Sequence, residues 1–412
     1  PVMDDVLARE NSALVSLCHR RFASERNSLD DLFPDGIDVG GLLTLAARHR
    51  VYGLAVAALL PWAETQPTDI REEVQRIATG LRRRTAAFEL ERDRILATLE
   101  RSGIRAVVLK GAALVGTIYP DAMERDLHDI DLLVAEQSLV PAVRALADSR
   151  EGLPPPGSWS LYRRHHFHIA LKRASGVRVE VHWALARKVF PFQLDPAEVL
   201  RSGDEIDVGG VRFAVPRPAH MILHLVIQNI NESFGYLARF VDVDRIVTAA
   251  DRFDWQELVT AAGASSMRAP TSLTLQMTRR LFETDIPDGV LDELRPSAVV
   301  RLHLALMDPI PSLMEQRLGS GPTRHRLLRF WLTTGTWRRL RILLATLVPS
   351  KYDHFEEFRS GRPGPLDRIV RFGKFVVLEL ALLVQGTLSS LRPRRDRQTR
   401  FWSSHASSSE RR

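Results

Sequence analysis

Two aspartates separated by one residue stand in the stretch RDLHDIDLLV, residues 125–134. Successive side chains of a β-strand point to opposite faces, so a strand here would place Asp129 and Asp131 on one face. Two carboxylates that converge in a buried place disfavour each other's ionisation, and a nearby cation restores it. The pair is therefore a candidate ligand set for a divalent metal ion. An edge strand with one solvated face is the alternative interpretation.

Further residues with suitable chemistry flank this pair. Lys110 and Gly111 close one apolar run and open the next, where the N–H groups of a helix start favour phosphate and glycine permits close approach. Glu180 lies on the polar face of the alternating run VRVEVHWAL and could supply a third carboxylate. Three carboxylates from neighbouring strands form the hard oxygen site that Mg²⁺ prefers.

Helical periodicity dominates the chain on both sides of these residues. GLLTLAARHRVYGLAVAALL and AAFELERDRILATLERSG carry apolar residues at helix spacing, so the first hundred residues are predicted to be mostly helical. A further helical region is predicted to begin at PRPAHMILHLVIQNI and to extend to about residue 391. The residues with chemistry lie between the two helical regions.

Short apolar runs in the middle of the chain predict strands. IRAVVLKG and DIDLLV are predicted strands, with a helix between them that stops near Pro120. HHFHIALKR and VRVEVHWAL predict a hairpin that turns at 174–176, and EIDV and VRFAVP predict a second hairpin around Gly209 and Gly210.

These elements predict an α+β fold in which a small mixed sheet is flanked by N- and C-terminal helical regions. The predicted boundaries follow the changes in pattern and composition. They give an N-terminal helical region at 1–84, an α/β core at 85–215, a C-terminal helical region at 216–391 and a basic tail at 392–412.

Net charge argues against a polynucleotide partner for the body of the chain. The formal charge is +7, but seven arginines against Asp396 and Glu410 place +5 of it in residues 392–412, which leaves +2 elsewhere. The tail is rich in Arg and Ser and is predicted to be disordered. A solvated tail is the preferred interpretation, and contact with acidic partners or anionic lipid is the alternative.

Cysteine content and hydropathy address the cellular setting. A single cysteine, Cys18, excludes a disulfide framework and a thiolate zinc site. The apolar run FVVLELALLV, residues 375–384, contains Glu379 and is too short for a bilayer span. No secretory leader is read at the amino terminus, so a cytoplasmic, bacterial-type protein is expected.

The motifs occur in an order that resembles a known superfamily. VVLKGAAL, RDLHDIDLLV and VEVHW resemble the nucleotidyltransferase superfamily of DNA polymerase β type, and more closely its bacterial branch with a Lys-Gly loop. The superfamily pattern is a strand that ends in Gly and a small residue, a D-x-D on the next strand, and a later acidic residue. In this chain it falls on Gly111 with Ala112, Asp129 with Asp131, and Glu180.

The resemblance is strongest over residues 104–183, and two departures from the pattern stand out. Ala112 occupies a position where many members have Ser or a second Gly, so a side-chain hydroxyl to the phosphate is missing. The gap from Gly111 to Asp129 is longer than in the most familiar members.

The resemblance implies a Mg²⁺-dependent enzyme that moves a nucleoside monophosphate, with AMP favoured, from a nucleoside triphosphate (NTP) and releases pyrophosphate. The implied acceptor is a hydroxyl, or less favourably an amine, of a small molecule, peptide or saccharide. Asp129 and Asp131 would bridge two Mg²⁺ ions, and Glu180 would complete the acceptor-side site and accept the acceptor's proton.

The same resemblance implies a phosphate-binding set. Lys110 and the Gly111 backbone, with Ala112 beside them, would hold the β- and γ-phosphates. Arg125 would add a phosphate contact, with a surface ion pair to Asp126 or Glu124 as the alternative. His182 and Asp242 are possible acceptor-side residues.

Histidines supply a competing interpretation. A zinc hydrolase could use the cluster of His165, His166, His168 and His182, although their spacing matches no zinc motif. A non-catalytic nucleotide-binding protein is a third possibility. Three further residues, His220, His224 and Asp244, have spacings that permit a role in the cleft or, more simply, packing and capping.

Overall fold

The computed structural model of the chain describes residues 11–19, 38–148, 153, 158–188, 190–250, 252–301, 329–333, 337 and 339. The predicted basic tail and the apolar run at 375–384 lie outside these residues. No helix within the described part of the chain is both long enough and apolar enough to span a bilayer.

Helices form the N-terminal region, as the apolar periodicity predicts. A further helix at 11–18 precedes those named below. The third helix buries apolar side chains at helix spacing, among them Val74, Ala78, Ile95 and Leu99. It also runs without a break through residues 84 and 85, where the sequence predicts a boundary. The helices are α1 (Val39–Arg48), α2 (Tyr52–Ala63) and α3 (Thr68–Arg101).

A mixed six-stranded sheet forms the centre of the described chain, in the order β3-β4-β2-β1-β6-β5. Two strand pairs, β2 with β4 and β1 with β6, are parallel, and the other three pairs are antiparallel. The strands are β1 (Ala106–Leu109), β2 (Ile130–Val134), β3 (His168–Lys172), β4 (Arg178–His182), β5 (Asp204–Val208) and β6 (Val211–Val215). The predicted α+β class with a mixed sheet and helical flanks is confirmed.

The register of the central strands places the polar residues in one row. Asp131 on β2 lies opposite Leu109 at the end of β1 and opposite Glu180 on β4. His182, two residues after Glu180 on the same face of β4, pairs with His168 on β3. The opposite face of β4 carries apolar side chains that are fully buried, so the polar row can face only one way.

Both predicted hairpins occur, and their turns explain the sequence. Gly209 and Gly210 have φ of +63° and +86°, which is the conformation that a tight two-residue hairpin turn requires at both central positions. In the turn between β3 and β4, Gly176 has φ of +84°.

The helix between β1 and β2 is shorter than predicted. It begins at Lys110 and ends at Leu114, well before Pro120. Val115 is already extended, and Gly116 has φ of +80°, so the chain turns away from the helix axis there. This short helix is α4 (Lys110–Leu114). The other connecting helices are α5 (Leu139–Leu146), α6 (Trp159–His165) and α7 (Pro196–Ser202).

The C-terminal helical region is built around one buried helix. All but three of the 14 residues of α8 are buried, so it packs on all sides rather than on one face. The helices are α8 (Pro218–Asn231), α9 (Leu237–Ala249), α10 (Trp255–Ala264), α11 (Arg268–Phe282) and α12 (Asp288–Glu293).

The segment that precedes β2 is tied to both helical regions. Asp126 accepts hydrogen bonds from the backbone N–H groups of Tyr52 and Gly53 at 2.9 and 3.1 Å, at the start of α2. Arg125 donates to Asp242 on α9. A Cβ atom at Gly53 would overlap the Met123 carbonyl oxygen, so α2 approaches this segment as closely as a backbone can.

Candidate active site

Asp131 lies at the centre of the polar row and is only 2 % exposed. Its Oδ1 atom accepts a hydrogen bond from Lys110 Nζ at 2.7 Å and lies 2.8 Å from His182 Nε2. Burial alone would raise the pKa of this carboxyl, but Lys110 and His182 hold it far below its usual value. Asp131 is therefore ionised and compensated by two neighbouring nitrogens.

His182 is fully buried between two carboxylates. Its Nε2 atom is 2.8 Å from Asp131 Oδ1 and 3.5 Å from Glu180 Oε2. Burial opposes protonation of the ring, yet the hydrogen bonds to Asp131 and Glu180 raise the pKa of His182. The ring thus positions the two carboxylates relative to each other.

The two oxygens of Glu180 face different partners. Oε1 accepts a hydrogen bond from Arg178 at 2.7 Å, whereas Oε2 faces the rings of His182 and His168, the second at 3.8 Å. Burial would raise the pKa of Glu180, but its hydrogen bond with His182 lowers it. Glu180 is therefore held as a carboxylate beside Asp131, as the strand register requires.

Asp129 precedes β2 by one residue and lines the cleft described next. Burial, and then the neighbouring charge of Asp131, raise the pKa of Asp129 to about 6. The predicted pair thus divides into an ionised member, Asp131, which has cationic partners, and a crowded member, Asp129.

A cleft of about 290 Å³ opens beside the carboxylates. Five of the predicted site residues line it. Most of the other lining residues are not singled out by the sequence. The first group is Lys110, Gly111, Arg125, Asp129 and Glu180; the second is Arg50, Asp126, Leu127, His128, Gln228, Glu232 and Arg239.

The Lys-Gly loop has an unusual backbone. Lys110 has φ of +52°, in the left-handed region that side chains other than glycine seldom adopt. A Cβ atom at Gly111 would lie 2.8 Å from a methyl group of Leu127 and 3.6 Å from Arg125 Cζ. Any other residue at this position would require the end of the Leu127 side chain to move. Ala112 is buried in α4, and its carbonyl oxygen is 3.5 Å from Arg92.

Arg125 forms its ion pair with Asp242 rather than with the side chain of Asp126 or Glu124. It donates twice to the Asp242 carboxylate, at 2.8 and 2.9 Å, and Tyr119 donates to the same group at 2.7 Å. Asp242 is fully buried, so its oxygens serve this contact. Arg125 nevertheless forms part of the cleft wall.

Two arginines in the cleft come from opposite helical regions and share one glutamate. Arg50 follows α1 and donates to Glu232 at 2.8 Å, and its guanidinium lies 3.9 Å from the centre of the Tyr236 ring. Arg239 on α9 donates to the same carboxylate at 3.1 and 3.2 Å. Arg50 lies within the segment LAARHRVYGLA, and Arg239 is the first residue of RFVDVDRI. No spacing rule in the sequence identifies either arginine as a site residue.

The predicted histidine cluster separates into two groups. Among the described residues, His168, Glu180 and His182 bring three metal-ligand atoms within 4.8 Å of one another. His166 instead stacks on Tyr162, with ring centres 3.9 Å apart. The side chain of His165 lies outside the described part of the chain.

The remaining predicted residues are buried in the C-terminal region. On α8, His220 is 3.4 Å from Ser202 Oγ, and His224 is 3.5 Å from Gln228. Burial lowers the pKa of His224 well below its usual value, so its ring is neutral. Asp244 accepts a hydrogen bond from Thr284 at 2.5 Å.

Comparison with known proteins connects this geometry with a family. The family model described as "Uncharacterised nucleotidyltransferase" matches residues 35–283, which is more than half of the chain. The chain belongs to this nucleotidyltransferase family. Searches of curated proteins and of solved structures found no match.

Family membership makes the protein an enzyme that transfers nucleotide groups. The matched residues include α1 through α11 and the whole sheet. Enzymes of this type generally use a nucleoside triphosphate and a divalent metal ion, and a cleft lined by carboxylates, a lysine and arginines suits both.

Proposed function

We propose that the enzyme transfers a nucleoside monophosphate, with AMP favoured, from a nucleoside triphosphate to a hydroxyl group of a small-molecule, peptide or saccharide acceptor. Pyrophosphate leaves in the reaction. The observation that carries the proposal is that Asp129, Glu180 and Lys110 line one cleft, while the buried Asp131 contacts Lys110 and lies opposite Glu180 on the neighbouring strand.

The donor set fits Mg²⁺ as the metal of the reaction. Asp129, Asp131 and Glu180 offer carboxylate oxygens, which are the ligands that Mg²⁺ prefers. Burial and the charge of Asp131 raise the pKa of Asp129 even though Lys110 and Arg178 act in the opposite direction, so a metal cation beside this carboxyl would favour its ionised form. A metal held by the three residues would stabilise charge on the α-phosphate and on the attacking and departing oxygens.

The phosphates would be held by side chains more than by a helix. Helix α4 has only five residues, so it contributes little dipole. An ammonium has three donors, and Lys110 uses one of them on Asp131, which leaves donors for a phosphate oxygen. Arg50 and Arg239, which also line the cleft, would add cationic charge for the rest of the triphosphate.

The acceptor proton would go to Glu180. This carboxylate lies in the cleft, is kept ionised by His182, and has one oxygen directed away from Arg178. A positioned carboxylate of this kind can accept a proton from a hydroxyl as the oxygen attacks phosphorus. His182 would act through Glu180 and Asp131 rather than on the acceptor itself.

The test is calorimetry of each nucleoside triphosphate with Mg²⁺. Metal-dependent binding of one nucleotide is expected for the native chain, and its loss in the double variant Asp129→Asn/Asp131→Asn. Asp204→Asn, an exposed aspartate on β5 of the same sheet, is the matched control and should bind as the native chain does. If the well-folded native chain binds no triphosphate, the proposal is wrong.

The acceptor is found by a second experiment. With the bound nucleotide labelled at its α-phosphate, extracts of small molecules, peptides and saccharides are offered in turn. Label appearing in a product together with released pyrophosphate identifies the acceptor class. Release of free nucleoside monophosphate without an acceptor would instead favour the hydrolase alternative.

A further inference from the structure

We propose that His168, Glu180 and His182 form a binding site for a borderline transition-metal ion such as Zn²⁺ or Co²⁺. Any role of this metal in catalysis rests on the proposed function, because Glu180 belongs both to this site and to the carboxylate set proposed for Mg²⁺. Binding of the metal itself does not depend on that function.

The strand pairing builds this site without any loop. His168 and His182 are register partners on the antiparallel strands β3 and β4, and Glu180 lies on the same face two residues before His182. The three ligand atoms lie within 4.8 Å of one another. Metal–ligand bonds of about 2.0–2.2 Å place neighbouring ligand atoms roughly 3–4 Å apart, so only a small contraction is needed.

Glu180 is already turned toward the imidazoles. Arg178 holds Oε1 at 2.7 Å, which leaves Oε2 at 3.5 Å from His182 Nε2 and 3.8 Å from His168 Nε2. Both histidines present the Nε2 nitrogen, the one that imidazole commonly offers to metals. Three donors therefore converge on one point of the sheet surface.

The donor chemistry separates this site from the carboxylate pair. Two imidazoles and one carboxylate are the ligand set of open, catalytic zinc sites, whereas Mg²⁺ prefers oxygen ligands and water. Imidazole suits the later first-row ions, whose affinity follows the usual order, whereas Mn²⁺ resembles Mg²⁺ in its preference for oxygen ligands. The residues at Asp129 and Asp131 offer oxygen alone.

A protonated His182 is the competing occupant of the same space. One Nε2–H would then be shared between Asp131 and Glu180, with no metal needed. The two arrangements differ at His168, since a metal needs its nitrogen and a proton on His182 does not. A variant at His168 therefore distinguishes them.

The test uses the full-length chain after removal of metals with a chelator, titrated with CoCl₂ and followed by visible absorption. One Co²⁺ ion is expected to bind, and its visible spectrum should show the d–d absorption band that is typical of coordination by nitrogen and oxygen. His168→Gln should weaken Co²⁺ binding by at least about tenfold. The matched control is His166→Gln, which changes a histidine of the same segment that stacks on Tyr162, and it should leave binding unchanged.

Two results would overturn the site. One is Co²⁺ binding that is equal in the native chain and in His168→Gln, and the other is displacement of Co²⁺ by a moderate excess of Mg²⁺. Thermal unfolding of each variant checks the fold; if His168→Gln unfolds, His168→Asn is used instead. Nucleotide binding with Mg²⁺ is measured separately on the native chain, so that the failure of either proposal is seen independently of the other.

Discussion

The Lys110 ammonium and the Asp131 carboxylate lie 2.7 Å apart, with 13 % and 2 % of their side-chain surfaces exposed. A pair with so little solvent around it is screened weakly, and its charges act strongly on whatever enters the cleft. Lys110 keeps Asp131 ionised, and under the proposed function it would also bring positive charge to the triphosphate.

Lys110→Met is expected to weaken triphosphate binding by about 10- to 100-fold, because a charge-assisted hydrogen bond is lost while the volume of the side chain is kept. The measurement is calorimetry with Mg²⁺ and the nucleotide that the native chain binds. Lys172→Met, an exposed lysine on β3, is the control and should have native affinity. Equal affinity in both variants would contradict the role of Lys110.

Local spacing predicts some of these residues and not others. Asp129, Asp131 and Glu180 follow strand alternation, and Lys110 with Gly111 marks a strand end, so they could be read directly from the sequence. The partner of Arg125 could not be read, because Asp242 is 117 residues away and no local pattern links a loop arginine to a later helix.

Helix α9 supplies that partner, and the contact between α9 and the segment before β2 is a buried charge pair. Asp242 accepts two hydrogen bonds from Arg125 and one from Tyr119, and Arg125 and Asp242 side chains are 8 % and 0 % exposed. Removing one partner of a buried ion pair leaves an uncompensated charge, which costs far more than the pair contributes.

Asp242→Asn is accordingly expected to lower the free energy of unfolding by about 3–5 kcal/mol, measured by urea denaturation. Tyr119→Phe removes one hydrogen bond to the same carboxylate and should cost about 1–2 kcal/mol. The exposed substitution Asp204→Asn should change stability by less than about 0.5 kcal/mol. A loss for Asp242→Asn as small as that of the control would show that the pair is not needed.

At the end of α1, His49 makes stability depend on pH. It is fully buried, and burial, with a smaller effect of Arg48, lowers its pKa to about 4. In the unfolded chain the ring takes up a proton near pH 6.5, whereas in the folded chain it stays neutral to about pH 4. Stability that is present above pH 6.5 is therefore lost as the pH falls toward 4.

Between pH 7 and pH 5, this difference is worth about 2 kcal/mol of unfolding free energy. His49→Leu should lose correspondingly less stability than the native chain over the same interval, as seen in urea denaturation at the two pH values. Buried histidines such as His224 act equally in both proteins, so the comparison isolates His49. Parallel losses in the two proteins would contradict the assignment.

The elements that sequence predicts best are those with local causes. Two glycines with positive φ make the β5–β6 turn, and alternation makes β3 and β4. The parallel pairing of β1 with β6 places Val107 opposite Ala214, which is over 100 residues away in the sequence. No local sequence pattern predicts such a pairing. The length of α4 was predicted too long because helix spacing continues past Leu114 while Gly116 turns the backbone.

On the scale of the whole molecule, the cleft is a shared space. The sheet and the residue before β2 supply Glu180 and Asp129, the turn after α1 supplies Arg50, and the C-terminal region supplies Gln228, Glu232 and Arg239. Arg50 and Arg239 share the single carboxylate of Glu232, so this group of three residues carries a net positive charge that favours a polyanion in the cleft.

Arg239→Ala is expected to weaken triphosphate binding by about 3- to 10-fold, and the loss should change little with salt, because the Arg239 side chain is only 9 % exposed and is screened weakly. Affinity measured at low and at high ionic strength checks both parts. Arg212→Ala, an exposed arginine on β6, is the matched control. An affinity that is unchanged by Arg239→Ala at low salt would remove this wall from the phosphate site.

The segment at 125–126 carries one further implication, for how the enzyme can be divided. Asp126 is anchored to the start of α2 and Arg125 to α9, so the position of the residues just before β2 is set from both sides. A fragment trimmed to the sheet and its connecting helices would leave both anchors behind. The smallest fragment that still binds nucleotide should therefore run from α1 to at least α9.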